Sequence, residues 1–412
     1  MSGKKTPPTR VNAVERLPHR YPTRWKLRHD TKLRRNSPYL PTEVIFQILI
    51  FVPAKSLFDA ARYVCKQWYD IINDPDFIKA HYQISTPGFL FRDSCYRDSH
   101  MTYIDANSPN STEIQIPARV TEMSCFNGLV LFSTRSDREI LFHVANPVTK
   151  ENISLPRLAA HEGRMYESTA SLSVDSRGHY KVVFALDVST FYEEDRRRRM
   201  GVFTIGIDKA WRFLDLEGIP VGFLISDTIS FSPQPFGGFI YWYEYNYNTS
   251  ASRSDGFALD IDTETIYQFS QPKDVVFNLA SATFIIIGTS LGFMLAESRF
   301  LWRLWKLTDV KSGEWTQLPC INVGTLHSHF DKVFGLYVNL IYNPVKLDRG
   351  DLWLYRRIND ENLVVRYNFV NEKMVVFPMK IGISHRSLRP HINTLVSPKN
   401  FNYMSKSGDR FT

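Results

Sequence analysis

The apolar positions between residues 37 and 84 recur at helical spacing and predict several short helices. Pro41 marks the start of the first helix, and Pro53 ends it. Eight of the nine residues 44–52 are apolar, and only Gln47 interrupts the run. A helix that is apolar on all sides must be covered on all sides, and fewer than 50 residues of small helices cannot enclose it. Either the following domain or a partner protein must cover it, and we favour a partner.

From residue 85 onward, helical spacing gives way to short β-type runs separated by turn residues. A recurring unit consists of an apolar strand, a polar turn and a second strand. The first strong apolar residues after these turns are Ile114, Ile153, Trp211, Ile266, Trp315 and Val375, about 52 residues apart on average. Four strands in about 50 residues is the repeat of a kelch-like β-propeller blade, so residues 85–400 have room for about six blades. An array of β-sandwiches is the alternative, which the even repeat disfavours.

The two patterns together predict an α+β multidomain chain, in which a small helical module precedes an all-β propeller. The last strand, around Ile392–Val396, is expected to close the ring by pairing with the first blade, which removes exposed sheet edges. The predicted divisions are a basic tail at 1–36, the helical module at 37–84, the β-rich domain at 85–400 and a C-terminal tail at 401–412.

The excess positive charge of the chain lies in its N-terminal tail. The net charge is +8, and residues 1–36 contain eleven Lys or Arg and only two acidic residues. The remaining residues include 39 basic and 40 acidic ones, so the predicted folded part is nearly neutral and nucleic-acid binding by it is not expected. We expect the tail to be a disordered arm. A nuclear-import signal or a weak polyanion contact is the alternative.

Composition and cysteine spacing narrow the class of protein further. With 43% hydrophobic residues, 29 Phe, 20 Tyr and 8 Trp, the chain can build a large core and is neither wholly disordered nor collagen-like. Its four cysteines form no Cys-x-x-Cys pair, and their sparseness suits a reducing compartment. No apolar stretch approaches 18 residues. We therefore expect an intracellular protein of the nucleus, the cytoplasm or both, without membrane association.

The helical module carries an ordered series of short motifs. They are Leu40-Pro41-x-Glu43, Ile48-Leu49, Val52-Pro53-x-Lys55-Ser56-Leu57, Val64-Cys65-Lys66-x-Trp68 and Pro75-x-Phe77. This series resembles an F-box, although Ile50-Phe51 replaces the commoner polar or basic pair. The resemblance implies docking onto the Skp-type adaptor of a cullin–RING ubiquitin ligase. The adaptor-binding residues that it implies are Leu40, Pro41, Glu43, Val44, Ile48, Leu49, Pro53, Leu57, Val64, Cys65 and Trp68. A helical cap packed on the C-terminal domain is the alternative.

The β-rich region carries a second series of motifs. They are Ser124-Cys125, Asn127-Gly128-Leu129-Val130, Asn146-Pro147-x-Thr149, Leu155-Pro156, Tyr180-Lys181-Val182-Val183, Trp211, Asp260 to Thr263 and Leu395-Val396-Ser397. This series resembles the F-box-associated domain of the large plant F-box family. One departure is Phe126, which stands between Cys125 and Asn127 where the family has these two adjacent. We expect Phe126 to bulge its strand.

Four tyrosines alternate with other residues along one predicted strand: Tyr241, Tyr243, Tyr245 and Tyr247. At strand spacing their side chains share one face. Such a face suits the recognition of a target protein, because tyrosine is large and amphipathic. It equally suits packing between blades. The four tyrosines are therefore candidate substrate-binding residues.

Other motifs raise the question of catalysis. The segment Gly288-Thr289-Ser290-Leu291-Gly292 matches the nucleophile motif of acyl hydrolases, with Asp331 and His391 in the required order. An apolar β pattern continues after it, so a hairpin turn is the simpler interpretation. His327 and His329 have no further ligand to complete a zinc site, and no phosphate-binding loop is present in the sequence. We predict no catalytic residue, metal or cofactor.

Together the resemblances imply a non-catalytic substrate-recognition subunit of a Skp–cullin–F-box ubiquitin ligase. The F-box would bind the Skp-type adaptor, and through it cullin, while the propeller would bind an unknown target protein. The implied mechanism is proximity of the target to a ubiquitin-loaded enzyme. The alternatives are an adaptor-binding scaffold outside a ligase, a Ser290 hydrolase, and a polyanion-binding protein acting through its tail.

Overall fold

The structure is a computed structural model. It describes residues 40–92, 100–105, 111–115, 120–135, 139–159, 164–189, 196–217, 233–243, 255–273, 275, 282–298, 300–324, 326, 328, 343–348, 350–358, 361–379 and 389–401. Predictions that fall on other residues, such as the basic tail, Tyr245, Tyr247, His327, His329 and Asp331, lie outside this description.

The N-terminal part of the described chain is helical. The helices are α1 (Thr42–Leu49), α2 (Ala54–Asp59), a 3₁₀ turn (Ala61–Tyr63), α3 (Lys66–Ile72) and α4 (Pro75–Ile84). Asp74 caps α4, because its Oδ1 accepts hydrogen bonds from the backbone N–H groups of Asp76 at 2.8 Å and Phe77 at 3.3 Å. Pro75 fits the first helical position, where no N–H partner is needed. No helix of the described residues combines the length and the apolar character needed to cross a membrane.

Strands occupy the rest of the described chain. In chain order, β1 to β25 are Gly88–Arg92, His100–Asp105, Ser111–Gln115, Val120–Phe126, Leu129–Arg135, Glu139–Asn146, Glu151–Ser154, Leu158–Ala159, Arg164–Val174, Tyr180–Ser189, Arg196–Thr204, Arg212–Phe213, Gln234–Phe236, Phe239–Tyr243, Asp255–Asp260, Ile266–Ser270, Ala282–Ile287, Ser290–Ala296, Leu301–Asp309, Glu314–Asn322, Asn343–Asp348, Asp351–Ile358, Glu361–Asn368, Lys373–Met379 and Arg389–His391. A last 3₁₀ turn covers Pro398–Asn400.

The described strands form five hydrogen-bonded sheets. Four of them are built on four-stranded paths, in the orders β25-β1-β2-β3, β4-β5-β6-β7, β12-β11-β10-β9 and β13-β14-β15-β16, and β8 adds a short pair to β6. The fifth sheet has eight strands and consists of two four-stranded antiparallel units, β17–β20 and β21–β24, joined by a short parallel pairing of β17 with β21. This gives six four-stranded units, which blade numbers 1 to 6 denote below in chain order. The kelch-like propeller of about six blades is confirmed.

The first strands of successive blades lie next to one another, as the innermost strands of a propeller do. Strand β4 lies against β9 and β25, β9 lies against β13, and β17 pairs with β21. In the first blade this inner position is taken by β25, which comes from the C-terminal end of the domain. The ring-closing strand is therefore confirmed, but it is Arg389–His391 and not Ile392–Val396. The latter residues follow the strand and run toward blade 2, where Asn146 binds them.

Apolar side chains fill the space between consecutive blades. Between blades 2 and 3, Trp211 packs against Phe142 and Phe184 at ring-centroid distances of 5.3 and 5.2 Å. Its indole N–H also donates to the carbonyl of Pro156 at 2.8 Å. Trp315 repeats this arrangement between blades 4 and 5, where its indole N–H donates to the carbonyl of Ser270 at 2.8 Å. A tryptophan before or within the outermost strand thus ties its blade to the preceding one.

The polar turns of the repeat share one geometry between the third and fourth strands of a blade. The Asn146 side-chain oxygen accepts hydrogen bonds from the N–H groups two and three residues later, and the fourth residue, Lys150, has a φ of 59°. Asp260 and Asn368 cap their turns in the same way, with Glu264 and Glu372 at φ values of 57° and 58°. This explains why Asn or Asp ends the third strand.

The expected bulge at Phe126 is absent, and that prediction is wrong. Phe126 pairs directly with Leu129 across a two-residue turn of Asn127 and Gly128, both with positive φ. Asn-Gly is the favoured sequence for such a hairpin turn, so the extra residue simply extends the strand by one pair. The register shift in this hairpin lies further back, between Val120 and Met123.

Candidate functional site

Helix α1 has two apolar faces with different surroundings. Phe46, Leu49 and Ile50 are buried. In contrast, Ile48 is 49% exposed and Phe51, in the turn after the helix, is 70% exposed. Val44 is also exposed and precedes them by four and seven residues, so the three side chains follow one face of the helix. We call Val44, Ile48 and Phe51 the outer α1 face.

Several other apolar side chains of the helical segment are exposed to solvent. Leu40 lies just before α1, Tyr63 and Val64 lie between α2 and α3, and Tyr69 lies on α3. The guanidinium of Arg62 stacks over the ring of Phe58 at 3.5 Å from its centroid and hydrogen-bonds the Tyr63 hydroxyl. So many exposed apolar side chains on a short segment are characteristic of a protein-binding surface.

The structure divides the predicted adaptor-binding residues into two groups. Leu40, Pro41, Glu43, Val44, Ile48, Pro53, Val64 and Cys65 are exposed, and Trp68 is partly buried. Leu49 and Leu57 are fully buried, with 0% exposure, so their side chains do not face solvent where a partner could contact them. Only one face of each short helix can point outward, and these two leucines lie on the buried faces. Three further aromatic residues of this segment are exposed and are not among the predicted ones: Phe51, Tyr63 and Tyr69. The spacing of Phe51, seven residues after Val44, could have indicated it.

The inner side of the helical segment is held by aromatic and polar contacts. Phe46 packs edge-on against Phe77 with 5.1 Å between ring centroids. The His81 ring is buried beside Phe77, and its Nε2 lies 2.8 Å from the carbonyl oxygen of Val52. Burial lowers the pKa of His81 below its usual value, which favours the neutral ring. The neutral ring donates to this carbonyl, which lies in the turn after the outer α1 face.

The second candidate site is the predicted tyrosine face on β14, and its first residue, Tyr241, is not exposed. This side chain is 4% exposed and stacks on Phe236, with 4.6 Å between ring centroids, in the core between blades 4 and 5. Burial raises the pKa of its hydroxyl. Packing between blades therefore explains Tyr241, which cannot reach a target protein. For Tyr243 the structure describes only the strand position, and Tyr245 and Tyr247 lie outside the described residues.

The candidate nucleophile Ser290 lies in a hairpin. Gly288, with a φ of 59°, and Thr289 form the turn between β17 and β18, and Ser290 is the first residue of β18, paired with Ile287. A nucleophile elbow needs a helix after the turn, so the motif match is accounted for by the hairpin. His391, its possible partner, is buried in β25 opposite Gly88.

A charged network joins blades 3 and 4. The buried Lys181 ammonium donates to Glu264 at 2.9 Å and to the carbonyl of Ile261 at 2.8 Å. Arg212 forms two parallel hydrogen bonds to the same Glu264 carboxylate, at 2.7 and 2.8 Å. The bond from Arg212, followed by that from Lys181, lowers the pKa of Glu264 to about 2. Because every charge in this group has a partner, we assign it a structural role.

Comparison with known families agrees with this architecture. Residues 87–400 match the family of the F-box associated beta propeller domain, and residues 38–83 match the F-box-like family. The propeller match spans most of the chain, so this chain belongs to the plant F-box proteins that carry an F-box associated β-propeller.

Its relatives include several F-box proteins of Arabidopsis thaliana. F-box protein At5g49610 is 25% identical over 334 residues, which cover 76% of this chain and 89% of that protein. F-box protein At1g30790 is 24% identical, over 70% of this chain and 76% of its own length. A further F-box protein, At4g09190, is 26% identical over 59% of this chain, and the match spans only 62% of that relative.

Solved structures resemble the propeller only distantly. TolB from Acinetobacter baumannii is 7% identical with a TM-score of 0.43, over 74% of this chain and 66% of TolB. A chain of a nidogen/laminin complex is 12% identical with a TM-score of 0.39, over 75% of this chain and 99% of that chain. Both scores lie below 0.5, and neither similarity bears on function.

Proposed function

We propose that this protein is the substrate-recognition subunit of a Skp–cullin–F-box ubiquitin ligase. In this proposal the F-box binds a Skp-type adaptor, and through it cullin, in the nucleus, the cytoplasm or both. The propeller binds a target protein. The chain is non-catalytic in this role, since it contributes proximity between the target and a ubiquitin-loaded enzyme.

The observation that carries the proposal is the exposure of the outer α1 face. Ile48 and Phe51 leave large apolar side chains in water although Leu49, beside them in the chain, is fully buried. Burying a side chain of this size against a partner contributes about 1.5–3 kcal/mol. The family match at residues 38–83 supports an adaptor as that partner.

Strand direction shows which turns lie at the rim of the propeller that helix α4 contacts and which lie at the opposite rim, the one we propose for the target. Antiparallel strands alternate in direction, so the turn after β4 and the turn after β6 lie at the same rim. This is the rim that helix α4 contacts, through Tyr82 and Asn127. We assign the target to the opposite rim, where strands such as β10 and β11 end at Ser189 and begin at Arg196. A target bound there leaves the F-box free for the adaptor.

Binding of the full-length protein to purified Skp-type adaptor, measured by titration calorimetry, tests the proposal. Ile48→Asp places a charge on the outer α1 face without entering the core, and we expect at least tenfold weaker binding. Val370→Asp is the matched control, because Val370 is 76% exposed in a propeller turn. Equal affinity of the two variants would contradict the proposal. If the adaptor binds but cullin does not co-purify, the protein is instead a scaffold outside a ligase.

A further inference from the structure

A very short connection joins the F-box to the propeller. Helix α4 ends at Ile84, and β1 begins at Gly88, so only three residues lie between them. The first of these, Ser85, is tied to the helix, because its hydroxyl donates to the carbonyl of His81 at 2.7 Å. Gly88 is buried and lies directly opposite His391 of the ring-closing strand. The last F-box helix therefore leads straight into the sheet that closes the ring.

Helix α4 also contacts blades 2 and 3. The Tyr82 hydroxyl donates to the Asn127 side-chain oxygen at 3.3 Å. Asn127 also hydrogen-bonds the hydroxyl of Tyr180 on β10. One turn earlier on the helix, Ile78 packs against the apolar core between the same two blades. Helix α4 thus has both a polar and an apolar contact with the propeller.

The residues after the ring-closing strand contact blade 2 at the Asn127–Gly128 turn, which helix α4 also contacts. The buried Asn146 amide donates to the carbonyls of Thr394 at 3.0 Å and Val396 at 2.7 Å. Gly128 fits so closely against this segment that a Cβ atom there would lie 2.4 Å from the carbonyl oxygen of Ile392. A larger residue at position 128 has no room, so the Asn127–Gly128 turn and the C-terminal segment are packed against each other.

The end of this segment is anchored by an aromatic stack. Ser397 caps the turn Pro398–Asn400, and Phe401 then stacks on Tyr180 with 4.1 Å between ring centroids and 20° between planes. Val396 and Phe401 belong to the apolar core against which Ile78 packs. Helix α4 and the C-terminal segment consequently share Asn127, Tyr180 and one apolar core.

We infer that residues 389–401 form a clasp that couples closure of the propeller ring to the seating of helix α4. The clasp begins with β25, which pairs with β1, the strand that follows helix α4. It then packs against the Asn127–Gly128 turn and ends where Phe401 stacks on Tyr180. The position of helix α4 on the propeller is therefore set by the last residues of the domain. This inference concerns the fold alone and holds whether or not the proposed ligase role does.

Hydrogen exchange of the full-length protein, followed by mass spectrometry, tests the clasp. Asn127→Gly removes the side chain that links Tyr82 to Tyr180, while glycine keeps the positive φ of the turn. We expect at least tenfold faster exchange in residues 75–84. Lys150→Gly is the matched control, since Lys150 is exposed, also has a positive φ and lies in the same blade.

A second variant distinguishes coupling through residues 389–401 from a contact that Asn127 makes alone. Phe401→Ala removes the aromatic stack at the far end of the segment. The clasp predicts that exchange in residues 75–84 again becomes faster than in Lys150→Gly. If only Asn127→Gly has this effect, helix α4 is held by Asn127 alone and the clasp is refuted. Exchange equal to the control in both variants refutes it as well. Should Phe401→Ala unfold the ring, Phe401→Leu, which keeps an apolar side chain and removes only the ring stack, provides the same comparison.

Discussion

Gly88 and His391 lie opposite each other in one antiparallel sheet, although they come from the two ends of the propeller. The pairing places a buried histidine at the closure of the ring, edge-on to Tyr103 with 5.8 Å between ring centroids. The stability of the closure therefore depends on the protonation state of this ring.

We predict that ring closure weakens in acid because of His391. Burial lowers the pKa of His391 to about 3, from the ordinary value of 6.5. Between these values the unfolded chain binds a proton and the folded chain does not, so stability is lost as the pH falls below 6.5. A fall from pH 6.5 to 4.5 should cost about 2 kcal/mol through this group.

Urea unfolding of His391→Leu at these two pH values provides the measurement. The substitution keeps an apolar side chain at this position and removes the titrating group. The free energy of unfolding should depend less on pH than in the unaltered protein. The same pH dependence in both proteins would rule out His391 as the source.

A second prediction concerns the charged network between blades 3 and 4. Glu264→Gln removes the nearest carboxylate from the buried Lys181 ammonium, which keeps only the Asp175 carboxylate at 4.0 Å, and we expect a loss of about 2 kcal/mol in stability at pH 7. The lowered pKa of Glu264 means that its contribution is present above pH 4.5 and disappears as the pH falls toward 2. A double-mutant cycle with Lys181→Met measures the coupling, and a coupling energy near zero would contradict this account.

A third prediction uses the backbone of the repeated turns. Glu372 is exposed and has a φ of 58°, a conformation that costs a residue with a Cβ atom about 1 kcal/mol. Glu372→Gly should therefore raise the free energy of unfolding by about 0.5 kcal/mol, after the entropy cost of glycine in the unfolded chain. Asn371→Gly, one residue earlier and without a positive φ, should lower it. Thermal unfolding of both variants distinguishes the two signs.

A fourth prediction separates docking residues from core residues in the F-box. Leu40→Ala combined with Pro41→Ala changes exposed side chains, so adaptor binding should be lost with little change in stability. Leu49→Ala or Leu57→Ala empties buried positions and should cost about 2–5 kcal/mol of stability. Calorimetric binding and urea unfolding of the same samples would show the two effects. Unchanged stability of Leu57→Ala would be inconsistent with its burial.

Much of the propeller could be predicted from the chain, because its signals are local. Asn146, Asp260 and Asn368 each cap their own turn, and such a turn is visible in a short stretch of sequence. Trp211 and Trp315 mark the same position in two blades, where both bind the preceding blade. The blade period follows from these residues without knowledge of the packing.

The candidate site was harder to predict, since burial depends on distant parts of the chain. Leu49 and Ile48 are adjacent and equally apolar, yet one is buried and the other is half exposed. Strand spacing places Tyr241 on one face with the other tyrosines, but it does not indicate that this face meets the next blade. The ring-closing strand ends before Ile392, and the carbonyls of Thr394 and Val396 beyond it are bound by Asn146, which is too distant in sequence for a local pattern to indicate.

Photo-cross-linking tests most directly whether the adaptor contacts the outer α1 face. The photoreactive amino acid p-benzoylphenylalanine would replace Phe51, whose ring is already exposed, or Val370 as a control, in the full-length protein mixed with Skp-type adaptor. We predict a covalent product with the adaptor from position 51 and none from position 370. A cross-link from position 370 with none from position 51 would contradict the account.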